Sequence, residues 1–255
     1  MPKRYLRTTD LARELGVHVN TIRLYEEWGY LPPIPRGTNG YRLYTLSHLE
    51  QARLTYIAAR WPYLVNDKDL LRDLVKSAAN DDLGMAMELA YQYLAHVRVE
   101  RTLAEAAVEY LERWAAGHLL DSSRQKMHIQ QAAQHLNVTV DMLRNWERNG
   151  LISVPRDPAN GYRLYGSAEF GRLRVIRTLV QAGYSLMAVL QMMRQFDAGQ
   201  TDNLRDALYV PRADSADEHI EVVADRWLTS LVALEQRAQD TIRQITRMIE
   251  LSYST

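Results

Sequence analysis

Two short runs carry side chains suited to a polyanion that also displays hydrogen-bonding edges. The first holds His18, Asn20, Thr21 and Arg23, and the second, 121 positions on, holds Thr139, Asp141, Met142 and Arg144. Asn pairs bidentately with adenine, and Asp accepts from cytosine N4. An arginine beside them suits phosphate, which positions a reader without carrying sequence information. Farther along each run come Arg42 with Tyr44 and Arg163 with Tyr165. There a repeated arginine suits duplex backbone or minor groove, with the tyrosine supporting it. Chemistry of other kinds finds no pattern. The chain has no phosphate-cradling glycine loop, nucleophile elbow or paired histidines at helical metal spacing. Its 7 histidines are scattered and it has no cysteine. No catalytic residue, metal or cofactor is expected, and the chain is not read as an enzyme.

The elements that position these residues come from an internal repeat. Ala12–Tyr44 aligns without a gap on Ala133–Tyr165, and Asn39-Gly-Tyr-Arg-Leu-Tyr44 recurs unchanged as Asn160–Tyr165. Each copy predicts a short helix over Asp10–Leu15 or its counterpart, capped by Thr8 or Thr9 in the first copy. Gly16 and Asn137 can take the left-handed conformation that ends it. After a tight turn, second helices are predicted over Val19–Trp28 and Val140–Asn149. Val17, Ile22, Val138 and Leu143 face inward, and Gly29 and Gly150 end them. Short helix, tight turn and second helix form a helix-turn-helix. Tyr25 and Trp146 read as core rather than contact, and His18 reads as either contact or helix cap.

A hairpin follows, with Asn-Gly as its tight-turn signal. Tyr-Arg-Leu-Tyr then alternates outward and inward as a strand should. Further helices are predicted over Ser47–Arg60 and Asp67–Ala79, and over Ser167–Ala182 and Ser185–Phe196. Asp141 is unfavourable near phosphate, so the second copy is expected to bind more weakly or to read different bases.

The run from Val17 to Leu31, followed by Asn-Gly-Tyr-Arg-Leu-Tyr, resembles the DNA-binding domain of the MerR family. Ala182-Gly-Tyr-Ser-Leu186 is similar to that family's link between its third and fourth helices, whereas the first copy departs there with Trp61-Pro-Tyr-Leu64. The family often has an aromatic where this chain has Leu24 and Asn145. The resemblance implies a dimeric regulator that distorts promoter DNA, with RNA polymerase as a further partner.

Each module is followed by a long helical pattern. Apolar residues recur at six of eight positions of an alternating four–three spacing, 89, 93, 96, 100, 103, 107, 110 and 114. They do so more strongly through 220, 224, 227, 231, 234, 238, 241, 245 and 248. That is a coiled-coil seam. The two helices are expected to pair inside one chain, giving a pseudo-dimer, with a homodimer as the alternative. Tyr91, Tyr93, Tyr110, Trp114 and Trp227 read as coiled-coil core or as the lining of an apolar pocket.

The fold class is therefore mainly α: two winged helix-turn-helix modules, each followed by a long coiled-coil helix. The expected boundaries are 4–80 for the first module and 81–120 for its helix and linker. Then come 126–197 for the second module, 198–216 for a linker and 217–252 for the C-terminal helix. Net charge is zero over 255 residues, yet residues 1–60 and 124–182 are basic, and the remainder is acidic. A nucleic-acid binder needs its basic face only at the contact. No membrane span or signal peptide is expected, and the absence of cysteine fits a cytoplasmic, nucleoid-associated protein. The function expected is sequence-specific transcriptional regulation on double-stranded DNA, by one chain on an asymmetric operator. An architectural or recombination accessory factor, or an interaction protein with degenerate modules, are the alternatives.

Overall fold

The computed structural model of the protein describes residues 5–58, 67–117, 126–208 and 227–253. The Trp61–Leu64 departure and the seam positions 220 and 224 lie outside the described residues. Eleven helices stand among those described. They are α1 (Thr8–Leu15), α2 (Val19–Glu27), α3 (Leu46–Ala58), α4 (Lys68–Ala79), α5 (Leu83–Ala115), α6 (Ile129–Leu136), α7 (Val140–Arg148), α8 (Ser167–Gln181), α9 (Leu186–Asp197), α10 (Leu204–Ala207) and α11 (Trp227–Tyr253).

The first helix of each module starts on different chemistry from that expected. Thr8 and Thr9 lie inside α1, and Arg7 is the cap, its N–H donating to Asp10 Oδ2 at 2.8 Å. In α6 the His128 N–H donates to Gln131 Oε1 at 3.2 Å. An acceptor three residues into the helix satisfies a backbone donor that has no intrahelical partner. Both helices end as the sequence indicates. Gly16 has φ +64° and Asn137 φ +49°, and the following Val17 and Val138 N–H groups return to Ala12 O and Ala133 O at 2.9 and 3.0 Å.

Apolar spacing then decides the packing. In the first module Leu11, Ile22, Tyr25, Leu31 and Tyr44 are buried together, with Leu6 and Val17 against them. In the second, Leu136, Leu143, Trp146, Ile152, Tyr165 and Phe170 are buried. Each such side chain contributes about 1.5–3 kcal/mol by leaving water. The wing is a hairpin of isolated bridges rather than of full strands among the described residues. Arg36 pairs with Arg42 and Leu6 with Tyr44, and Arg156 pairs with Arg163 and Met127 with Tyr165.

The chain divides into two compact units: Met1–Val99 with Leu231–Thr255, and Glu100–Ser230. Each unit thus combines one module with a stretch of the long helix that follows the other. The expected boundaries instead set each long helix apart from the modules, as 81–120 and 217–252. In the first unit, Arg98 Nε donates to Glu235 Oε1 at 2.8 Å, and Arg237 acts electrostatically on Tyr93. These two contacts run in opposite order along α5 and α11, so the helices are antiparallel there.

The α11 seam follows the predicted register: Leu231, Leu234, Ala238, Thr241 and Ile245 are buried. On α5 the buried hydrophobic residues are Ala86, Ala90, Tyr93, Leu94 and Val97 in the first unit, and Ala104, Ala107, Val108 and Leu111 in the second, so the expected seam positions Tyr93 and Ala107 are buried. The expected seam residues His96 and Leu103 are exposed. The buried stripe thus keeps positions 93 and 107 and otherwise lies about one residue beyond the expected seam, where it is rich in alanine. Tyr91 is exposed, Tyr93 is buried, and Trp227 donates from Nε1 to Ala182 O at 2.6 Å. The expected linker at 198–216 also contains structure: α10 buries Leu204 and Ala207.

In the first unit a polar network ties α3 to α11. The buried Glu50 carboxylate accepts from Arg53 Nη1 at 2.7 Å and from Gln244 Nε2 at 2.8 Å. Arg53 also donates to Glu14 of α1. The repeat counterpart of Glu50 in the second unit is Gly171. A Cβ there would meet Trp114 Nε1 at 3.0 Å, so the indole packs closely over this glycine.

Candidate nucleic-acid interface

Turn chemistry places the N-termini of α2 and α7 at the surface of their modules. His18 is the N-cap of α2, its Nδ1 accepting from Asn20 N–H at 3.2 Å. Thr139 caps α7, its Oγ1 accepting from Met142 N–H at 3.1 Å. Both caps are exposed, so each serves the helix while standing at its solvent-facing end.

One turn in, the two copies hold the same device with different charge. Arg23 Nη1 donates to Asn20 Oδ1 at 3.4 Å, and Arg144 Nη1 donates to Asp141 Oδ1 at 3.2 Å. All four side chains are exposed. In the second copy the carboxylate is offset by the neighbouring guanidinium and by the positive end of its helix. Thr21 and Met142 are half-buried. Val19 and Val140 are also half-buried, and beneath them Ile22 and Leu143 fix each helix to its module core.

The wing is locked to this helix. Arg42 Nε donates to Glu26 Oε2, and Arg163 Nε to Glu147 Oε2, each at 2.6 Å. Glu147 also accepts from Arg156 Nη2 at 3.1 Å, while Arg36 Nη1 reaches Gly40 O across the first wing at 3.4 Å. Arg42 and Arg163 are thus half-buried positioning groups as well as cations at the wing. Tyr44 and Tyr165 are in the core, at 0% and 1% exposure, so they support the wing from below and offer no surface. Burial raises the pKa of both phenols.

Sequence reasoning missed the residues that the wings do present. Tyr41 is 71% exposed and Tyr162 65%, each next to the locked arginine. The hexapeptide identity contained them, but alternation alone does not say which of two tyrosines points out. It also missed the Glu–Arg lock, although Glu26/Glu147 and Arg42/Arg163 were both identities of the repeat. Leu24 of α2 and its C-cap Trp28 are exposed, whereas the counterparts are Asn145 of α7 and its C-cap Asn149, which donates from Nδ2 to Asn145 Oδ1 at 3.0 Å. The outer faces of the two helices therefore differ. Among the described residues, no three His, Asp or Glu side chains gather to hold a metal ion.

Residues 7–44 match the model of the MerR family regulatory protein, and residues 127–195 that of the MerR HTH family regulatory protein. The chain carries two MerR-type modules in tandem. Among similar proteins, the mercuric resistance operon regulatory protein of Pseudomonas fluorescens is 26% identical over 100 residues. That match covers 39% of this chain and 63% of the relative. The probable heavy metal-dependent transcriptional regulator of Haemophilus influenzae is 33% identical over 67 residues, 26% of this chain and 52% of its own. The HTH-type transcriptional regulator CueR of Salmonella typhi is 41% identical over 49 residues, 19% of this chain and 36% of its own. The chain thus spans less than two thirds of the length of the mercuric relative. No solved structure matches it. The two MerR-type modules coincide with the two capped helix N-termini and the two locked wings.

Proposed function

We propose that this MerR-type chain is a DNA-binding transcriptional regulator, and that one polypeptide supplies both reading modules to a single asymmetric operator. The observation that carries this reading is the duplicated surface. A capped helix N-terminus, an Asn/Asp–Arg pair and a carboxylate-locked wing arginine recur with the same geometry in both copies. Helix N-termini enter the major groove, where Asn20 and Asp141 meet base edges, with His18, Thr21, Thr139 and Met142 beside them. Arg23, Arg144, Arg42 and Arg163 bind phosphate, and Tyr41 and Tyr162 lie against the backbone. The names of the similar proteins, all regulators, support the same class.

Asymmetry follows from the side chains, because positions 18, 20 and 21 differ from 139, 141 and 142. Two identical readers prefer a palindrome, and two different ones do not. The exchange of long-helix stretches between the units supports a pseudo-dimer within one chain. The pairing of Asp141 with Arg144 weighs against a degenerate second module, since its charge is already compensated. RNA polymerase at a promoter, and location with the chromosome, belong to this proposal.

The test is selection from random duplexes, followed by titration in rising salt. A discrete non-palindromic site is expected, with affinity falling about 10³–10⁵-fold between 50 and 200 mM salt if some 6–10 phosphates are contacted. No enrichment, together with salt-independent binding, would remove the reading.

A further inference from the structure

On the DNA-binding reading, we propose that Arg36, at the tip of the first wing, enters the minor groove and selects an A·T-rich flank on one side of the operator only. The two wings differ first in length. Arg36 and Arg42 bracket the first tip, and Arg156 and Arg163 the second, so the second tip is longer by one residue. Gly37 N–H donates to Tyr41 O at 2.9 Å, and Asp157 N–H to Tyr162 O at 2.7 Å. Asp157 thus stands where the first wing has glycine. The shorter tip is Gly37-Thr-Asn-Gly40, and the longer is Asp157-Pro-Ala-Asn-Gly161.

Charge follows the same division. In the second wing, Arg156 Nη2 donates to Glu147 Oε1 at 3.1 Å, on the carboxylate that already holds Arg163. The Asp157 carboxylate accepts from Ala159 N–H at 2.9 Å and from Asn160 Nδ2 at 3.0 Å. Both donors are neutral, so its charge stays at the tip. In the first wing, Glu26 holds Arg42, and Arg36 donates from Nη1 to Gly40 O at 3.4 Å. Among the described residues, no carboxylate pairs with Arg36. The first tip is therefore small, exposed and cationic, whereas the second is larger and carries a carboxylate of its own.

Duplex DNA distinguishes two such tips. Runs of A·T narrow the minor groove, and the narrow groove concentrates negative potential that draws in arginine. G·C pairs place an amino group in the same groove. A cation on a small tip is stabilised there, while a tip with its own carboxylate meets phosphates of like charge. Arg36 thus reads duplex shape, apart from the base edges met by α2.

The experiment uses the full chain on its selected duplex. The chain has no cysteine, so Thr38→Cys and Ala159→Cys can each carry one iron-chelate cleavage reagent that marks where a wing tip lies. Cleavage from Thr38→Cys is expected to show the offset pattern of a minor-groove reagent, within an A·T-rich flank. Exchanging A·T for G·C in that flank is expected to weaken binding by about tenfold, the lower range for an altered base pair. Inosine·cytosine lacks the minor-groove amino group but keeps the G·C pattern in the major groove, and is expected to restore binding. The same exchange beside the Ala159→Cys tip is expected to cost at most about twofold. Arg36→Ala, at an exposed position, is expected to erase the flank preference while duplex binding persists. Equal costs on the two flanks, inosine as weak as guanine, or a flank preference that survives Arg36→Ala would each overturn the proposal and leave the DNA-binding reading intact. Absence of any duplex binding would instead remove that reading, and this proposal with it.

Discussion

Arg42 Nε donates to Glu26 Oε2 at 2.6 Å, and Arg163 Nε donates to Glu147 Oε2 at the same separation. The partners lie 16 residues apart in each copy and are half-buried. A charge-assisted bond from wing to helix fixes the angle between the two parts of the surface. Glu26→Gln is therefore expected to weaken duplex binding by about 1 kcal/mol, although it removes a negative charge from a basic face. The Leu43 N–H, bonded to Pro35 O across the wing, should exchange faster in the same variant. Tighter duplex binding by Glu26→Gln would mean that Glu26 acts only as an opposing charge.

Base reading should separate from phosphate contact. Asn20→Ala should change base preference, whereas Arg163→Ala should lower affinity on every sequence, each by about 1–3 kcal/mol. Asp141→Asn recreates in the second copy the amide–arginine pair of the first. Selection with that variant should return sites closer to a palindrome. An unchanged consensus would show that position 141 does not meet a base.

The buried clamp on Glu50 makes a prediction about stability. Gln244→Leu removes a donor from a carboxylate 1% exposed, and leaving a buried acceptor short costs about 1–3 kcal/mol. Urea denaturation of Gln244→Leu, Glu50→Gln and the double variant gives the coupling directly. Additive losses would show that the two side chains do not act together.

Alkaline pH should unfold the protein through its tyrosines. Burial pushes the Tyr93 phenol up to about 12 from its ordinary 10.0 and raises Tyr184 further. The folded state holds these protons more tightly than the unfolded one. Their contribution is thus complete below pH 10 and is lost as pH rises through 12. Denaturant midpoints should fall across that window, and phenolate absorbance should appear together with unfolding. Hyperchromic titration of all tyrosines near pH 10, with the fold intact, would contradict it.

What the sequence made legible follows from what its residues do locally. Gly16, Asn137 and the two Asn-Gly turns have few alternatives, so helix ends and wing tips stand where the pattern puts them. The α11 seam was readable because leucine and isoleucine mark it. The α5 seam was partly misread because its buried stripe includes Ala86, Ala90 and Ala104, while Leu103 points outward. Close helix approach favours small residues, and a search for large apolar ones slips off that face. The caps at Arg7 and His128 were missed because their acceptors are Asp10 and Gln131, three residues inside the helix. The burial of Tyr44 and Tyr165, and the clamp of Gln244 on Glu50, depend on tertiary packing that no local pattern encodes.

In the proposed function one chain serves as both halves of a dimer. Covalent linkage gives the second module an effective concentration near about 1 mM, so both half-sites can be engaged without assembly from dilute subunits. Two groove-reading helices act together when their spacing matches the DNA repeat, about 34–36 Å. The direct test is native mass measurement of the protein alone and on a short duplex carrying the selected site, with footprinting of the same complex. One chain per duplex with both half-sites protected is the predicted result. Two chains per duplex, each protecting only one half-site, would contradict it.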